Sequence, residues 1–202
     1  MSAWLLLAAL VLSQEEASPE AEALPTVDIG AVLAVAGPVG TLAGGVPMDR
    51  VSTSHGAVTL EVTWRASPAL GVGGYFRVTG SDARPPYAEA CGWCNPVDLG
   101  VGALVRWSYL RYEALDAWVA GRAGFEDLFD EDGAAFNYWG WEVGGALGLD
   151  FHVDRVQSLG FELGTRWGQF AGSSGNFPFP QVAGRPEWHG WLDLGFRYAL
   201  SF

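Results

Sequence analysis

The chain has 202 residues, which suits a single domain, and its formal net charge is -12 at pH 7. This acidic balance excludes nucleic-acid binding, because few basic side chains are present to neutralise phosphates. The longest uninterrupted apolar run, which contains Trp4 to Leu12, is far shorter than the roughly 20 residues of a membrane-spanning helix. We therefore do not expect the chain to cross a membrane as a helix.

The N-terminal segment has the composition of an export signal followed by a leader. The apolar run ends near the small residue Ser13, which predicts a signal peptide over residues 1–13, although no Arg or Lys precedes the run. Residues 14–25 are acidic and unpatterned, and they predict a flexible leader. The alternative is that the N-terminus forms a buried strand or a short helix.

From residue 26 onward, apolar and polar side chains alternate in eight successive segments. In the second segment, for example, Leu60, Val62 and Trp64 are separated by polar residues. A period of two is typical of a β-strand with one apolar and one polar face. We therefore predict that residues 26–202 form one all-β domain of eight strands.

In each strand the charged side chains alternate with the apolar ones and therefore share the opposite face, and none lies on the apolar face. The apolar face of the fifth strand ends at Phe125. The charged set comprises Asp28, Glu61, Arg65, Arg77, Asp98, Arg106, Asp116, Arg122, Glu142, Asp150, Glu162, Arg166, Asp193 and Arg197. If this parity faces a narrow lumen, the charges must be paired, because unpaired buried charges are strongly penalised. The predicted pairings are Arg77 with Asp98, Arg106 with Asp116, Glu142 between Arg122 and Arg166, and Arg197 beside Asp28.

The connections between the strands alternate in length. Long connections follow strands one, three, five and seven, at about residues 37–55, 80–96, 127–138 and 169–187, and short ones follow strands two, four and six. This alternation is typical of an antiparallel up-and-down transmembrane barrel with short periplasmic turns and long external loops. Aromatic residues near the strand ends predict two interfacial girdles, comprising Trp64, Trp107, Tyr109, Trp139, Trp141, Trp167, Trp188 and Tyr198.

The C-terminal strand alternates through Tyr198 and ends on Phe202. This pattern resembles the signature of bacterial outer-membrane barrels, and residues 26–202 resemble the small eight-stranded class typified by the OmpA transmembrane domain and OmpX. The resemblance implies that Tyr198 and Phe202 belong to a signal for the barrel-assembly machinery. It also implies an outer-membrane monomer that contacts lipid and lipopolysaccharide. The structural alternative is a soluble lipocalin-like barrel, in which the apolar parity would point inward.

Two short motifs in the predicted loops have structural interpretations. Cys91 and Cys94 form a CxxC pattern, but no helix is predicted after it to lower the pKa of a catalytic thiol. A disulfide that crosslinks the loop is therefore favoured over redox catalysis. Asp130 and Asp132 lie in an acidic loop that lacks the remaining ligands of a calcium loop. A solvated loop is the favoured interpretation, with divalent-cation binding as the alternative, and we expect no cofactor.

Three functions remain open from the sequence. The leading one is a non-enzymatic barrel with a plugged polar lumen and a structural or loop-mediated surface role, because eight strands leave room only for side chains. In that role, loops one, two and four are the candidate contact surfaces. The second is a narrow conduit or binder for a small hydrophobic molecule. The third is a lipid A-modifying enzyme, for which Ser54, His55 and His189 are the only candidate catalytic group.

Overall fold

The structure is a computed structural model that describes residues 27–90, 95–130, 136–175 and 187–202. The predicted signal peptide and leader, residues 1–25, lie outside this range. Eight antiparallel strands pair in chain order and close into a barrel, since β1 pairs with both β2 and β8. The strands are β1 (Val27–Gly40), β2 (His55–Arg65), β3 (Leu70–Gly80), β4 (Pro96–Tyr112), β5 (Leu115–Asp130), β6 (Phe136–His152), β7 (Gln157–Gly175) and β8 (Trp188–Ser201). The predicted fold class is confirmed.

Two short helices lie in the long connections, α1 (Met48–Val51) and α2 (Tyr87–Ala90), and a 3-10 turn covers Ala43–Gly45. In the part of the chain that the structure describes, no helix has the length and hydropathy needed to cross a membrane.

Burial follows the parity of the strands, with apolar side chains outside and charged side chains inside. Leu194 and Phe125 are 65% and 72% exposed, whereas Glu61 and Arg197 are 0% and 2% exposed. A soluble barrel would bury the apolar parity, because removing apolar surface from water drives its folding. The lipocalin-like alternative is therefore wrong.

The barrel has a turn end, with the three short connections, the start of β1 and the end of β8, and a loop end, with the long connections. At the turn end, Val27 and Phe202 exchange two backbone hydrogen bonds of 3.2 and 2.9 Å, which close the seam between β1 and β8. The short connections are residues 66–69, 113–114 and 153–156. Their brevity agrees with the sequence prediction.

The strands at the loop end are longer than predicted. β5 continues to Asp130 and β6 begins at Phe136, so much of the segment predicted as loop three, residues 127–138, is strand. β7 likewise continues to Gly175, beyond the predicted start of loop four at residue 169. The prediction followed outward-facing apolar residues, and that pattern stops where outward positions become polar, as at Asp127. Backbone pairing does not depend on side-chain polarity and therefore continues.

Loop one folds partly into the mouth of the barrel. Leu42, Met48 and Val51, which we call the loop-one cap, are fully buried. They belong to one hydrophobic cluster with inward-facing residues of β5 to β8, among them Tyr138 and Phe170. The prediction that loop one is a contact surface is therefore wrong for the cap, because burying these apolar side chains is more favourable than exposing them.

Candidate functional site

The lower half of the lumen is organised around the carboxylate of Glu61, which is completely buried. Arg106 and Arg122 donate hydrogen bonds to its two oxygens, the latter at 2.5 Å, and Arg197 Nε lies 3.6 Å away. Arg122 also donates to Glu162 at 2.7 Å, and Arg197 donates to Asp150. One carboxylate from β2 thus connects arginines from β4, β5 and β8.

The indole ring of Trp118 lies beside two of these arginines. The guanidinium carbon of Arg106 lies 4.2 Å from the ring centroid of Trp118, and that of Arg197 lies 5.6 Å away. These distances allow cation–π attraction. Trp118 therefore adds ring contacts to a region whose other side-chain contacts are mainly ion pairs.

The middle of the lumen is organised around Glu142. Arg77 donates to both carboxylate oxygens of Glu142, at 2.8 and 3.0 Å, and Tyr75 OH donates at 2.6 Å. Arg166 donates at the longer distance of 3.4 Å. Asp98 joins the same arginines, at 3.1 Å from Arg77 and 3.3 Å from Arg166. The result is a connected network of paired charges across the barrel.

The structure places the fourteen predicted residues on the inside, where thirteen are buried and Arg65 is partly exposed beside Asp28 at the turn end. The pair of Arg77 with Asp98 is present.

Other predicted pairings were wrong. Arg106 and Arg122 donate to Glu61, Arg197 donates to Asp150, and Asp28 pairs with Arg65. For Glu142, the pairing with Arg166 is present, whereas its second partner is Arg77 rather than Arg122. The predictions considered only adjacent strands, whereas an arginine side chain in a narrow barrel reaches strands across the lumen.

Sequence reasoning missed a second set of buried groups at the loop end. Glu126 is fully enclosed, with His189 Nε2 donating to it at 2.8 Å and Trp191 Nε1 at 3.2 Å. Glu126 lies one residue beyond Phe125, where the predicted fifth strand ends, and the predicted lumen set therefore lacks it. The signal that could have found it is its parity, which it shares with Asp116 and Arg122 on the same strand.

His189 is the one member of the candidate catalytic group that lies in the lumen, as its parity predicts. Its ring stacks on Phe170 at 4.0 Å and is completely buried. Its Nδ1 has no hydrogen-bond partner among the described residues, so the structure brings no serine hydroxyl to it. Ser54 is exposed, and the backbone of His55 pairs with Ala36 on β1. Within the described ranges, no serine therefore pairs with His189 as a nucleophile would.

The remaining candidate residues fall partly outside the described ranges. Cys91, Cys94 and Asp132 lie outside them, so the disulfide stays a prediction. Asp130 is buried at the end of β5, so its assignment to a solvated loop was wrong. Within residues 27–90, 95–130, 136–175 and 187–202, no three His, Cys, Asp or Glu side chains are grouped to hold a metal.

Cavities inside the lumen are small. One of about 30 Å³ lies at the turn end beside Asp28 and Arg65, and one of about 10 Å³ lies beside Arg77, Arg122 and Arg166. Volumes of this size correspond to one or two water molecules. The lumen is thus filled mainly by side chains at these two levels.

Neither a family model nor a curated protein matches this sequence. The crystal structure of Neisserial surface protein A (NspA) is similar to this chain, with a TM-score of 0.56 and 12% identity over 87% of this chain and 97% of that chain. The outer membrane protein OprG from Pseudomonas aeruginosa is similar with a TM-score of 0.51 and 12% identity, over 89% and 97%. The fold is that of the small eight-stranded outer-membrane barrels. At this identity, the likeness concerns the fold alone.

Proposed function

We propose that this chain is an exported, integral outer-membrane protein with a closed lumen and a non-enzymatic role. The observation that carries the proposal is the inverted burial, with apolar side chains outside and a connected charge network inside. In this orientation, the turn end faces the periplasm and the loop end faces the outside of the cell. The role is structural or depends on contacts made by the long connections.

The dimensions of the apolar face support a membrane location. The outward face of β5 is uncharged from Leu115 to Phe125, which fits the roughly 9–11 residues that cross a bilayer as a tilted strand. Trp64 and Trp107 lie outward near the turn end, and Trp141 and Trp188 form an edge-to-face pair at 5.4 Å near the loop end. Such aromatic residues favour the two interfaces of a bilayer.

A closed lumen follows from the charge network rather than from the number of strands alone. Arg77 on β3 is bonded to Glu142 on β6, and Arg122 on β5 is bonded to Glu61 on β2. These bridges span the interior at two levels, and the loop-one cap packs against inward-facing strand residues above them. A wide aqueous path would require these buried pairs to separate, which is strongly unfavourable.

The membrane location is tested by cell fractionation and gel mobility. We expect the protein in the outer-membrane fraction and a change in its electrophoretic mobility on boiling. As part of the proposal, Tyr198 and Phe202 contribute to recognition by the assembly machinery, and the outward face contacts lipid and lipopolysaccharide as a monomer. Recovery of the folded protein in the soluble periplasmic fraction would contradict the membrane location.

The closed lumen is tested in planar bilayers. Purified protein should insert without a large, steady conductance, because the bridges at the levels of Glu61 and Glu142 block continuous water. A variant that lacks the loop-one cap should remain closed if the charge network is the barrier. Steady conductance from the unmodified protein would refute the closed lumen and favour the conduit.

A further inference from the structure

The outward face of the barrel carries one charged side chain among the described strand residues, and this is Asp127 on β5. It lies two residues beyond Phe125, on the same face. Its neighbours across the sheet are Leu99 on β4 and Trp139 on β6. Asp127 therefore lies at the loop-end edge of the apolar face, level with the polar head groups of the bilayer in the proposed orientation.

Asp127 lines an apolar groove on the outside of the barrel wall. The groove has a volume of about 330 Å³, and the side chains that form it include Phe76, Leu99, Val101, Phe125 and Trp139. Small-molecule sites commonly have about 300–1,000 Å³ and combine an apolar lining with a few polar groups. The groove is therefore large enough for a short hydrocarbon chain, and it opens toward the lipid side.

The carboxylate of Asp127 has capacity for an external partner. Its Oδ1 is shielded from solvent and has no hydrogen-bond partner among the residues that the structure describes. A carboxyl oxygen that is shielded from water and has no hydrogen-bond partner is unfavourable. A cation that enters the groove would remove this penalty.

We propose that this groove binds a single-chain amphiphile with a cationic ammonium head, taken up from the outer leaflet. The ammonium group lies against Asp127 between the rings of Phe125 and Trp139, and the alkyl chain packs along Leu99, Val101 and Phe76. Charge complementarity selects a cation over an anionic or neutral head. Aromatic faces also attract quaternary ammonium groups, which favours a methylated head.

The probe is dodecyltrimethylammonium, titrated into protein that is purified in the neutral detergent dodecyl maltoside. Binding is followed by the backbone amide NMR signals of residues 97–101, 125–129 and 137–141. We expect shifts that saturate and are confined to these segments. Dodecyl sulfate and dodecanol, which have the same chain length, should give no saturable shifts there.

Two variants and a matched control test the role of the carboxylate and of the aromatic ring. Asp127→Asn should weaken the apparent affinity by at least about tenfold, since it replaces a charged acceptor by a neutral one. Asp49→Asn removes the same charge from an exposed site in loop one and should leave the affinity unchanged. Phe125→Leu should weaken binding of the trimethylated head more than binding of dodecylammonium.

Correct folding of each variant is checked by its gel mobility before and after boiling, and the Phe125→Leu comparison decides the matter if Asp127→Asn does not fold. Equal affinity in Asp127→Asn and the unmodified protein would overturn the proposal. Shifts that grow linearly and spread over the whole apolar face would also overturn it, because they report simple partitioning into the detergent belt.

Discussion

Replacement of Glu142 by Ala tests whether the charge network stabilises the barrel. The substitution removes the acceptor of Tyr75 OH at 2.6 Å and of two Arg77 nitrogens at 2.8 and 3.0 Å. Arg77 keeps Asp98 at 3.1 Å, and Arg166 keeps Asp98 and Asp193. Removing one partner of a buried ion pair costs about 3–5 kcal/mol. Because both arginines keep a carboxylate, we expect a loss near the lower value, about 3 kcal/mol.

The assay is equilibrium unfolding from lipid vesicles in guanidinium chloride, followed by tryptophan fluorescence and by gel mobility. The matched control is Glu113→Ala, which removes an exposed carboxylate from the turn between β4 and β5 and should change stability little. The double variant Arg77→Met with Glu142→Leu should recover part of the loss, since it also removes the buried guanidinium that lost its main acceptor, while Asp98 keeps Arg166 at 3.3 Å. A loss below about 1 kcal/mol for Glu142→Ala would refute the claim that this network stabilises the barrel.

Three further predictions concern packing, the cap and assembly. Gly148→Val should destabilise the barrel by about 1–3 kcal/mol, because a Cβ at this position would lie 2.1 Å from the Trp118 ring. Gly121→Val on the outward face is the control and should be tolerated, and the same unfolding assay measures both variants. Met48→Glu should release the loop-one cap, since it places a charge in an apolar cluster, and limited proteolysis of the folded protein should then cut loop one faster. Deletion of Phe202 should leave export and signal cleavage intact but make the protein accumulate in the periplasm without a heat-dependent gel shift. Identical soluble fractionation of the deleted and unmodified proteins would contradict the membrane location.

The sequence by itself determined the eight-stranded architecture and which side chains share a face. Alternation with a period of two predicts which side chains share a face, because successive side chains of a strand point to opposite sides. This rule is local, so it placed Arg77, Glu142 and His189 on one face without knowledge of their partners, and their burial in the structure shows that this face is the inside. It also extends to Glu126, once β5 is known to continue past Phe125.

Only the tertiary structure decided which charges pair and which loop residues are buried. Arg77 contacts Glu142 three strands away, and Arg106 contacts Glu61 two strands away, because closure of the sheet brings opposite walls within reach of an arginine side chain. Closure likewise leaves an apolar mouth that buries Met48, which has no periodic signal in loop one. Periodicity reports neighbours along a strand, whereas these contacts depend on the curvature and register of the whole barrel.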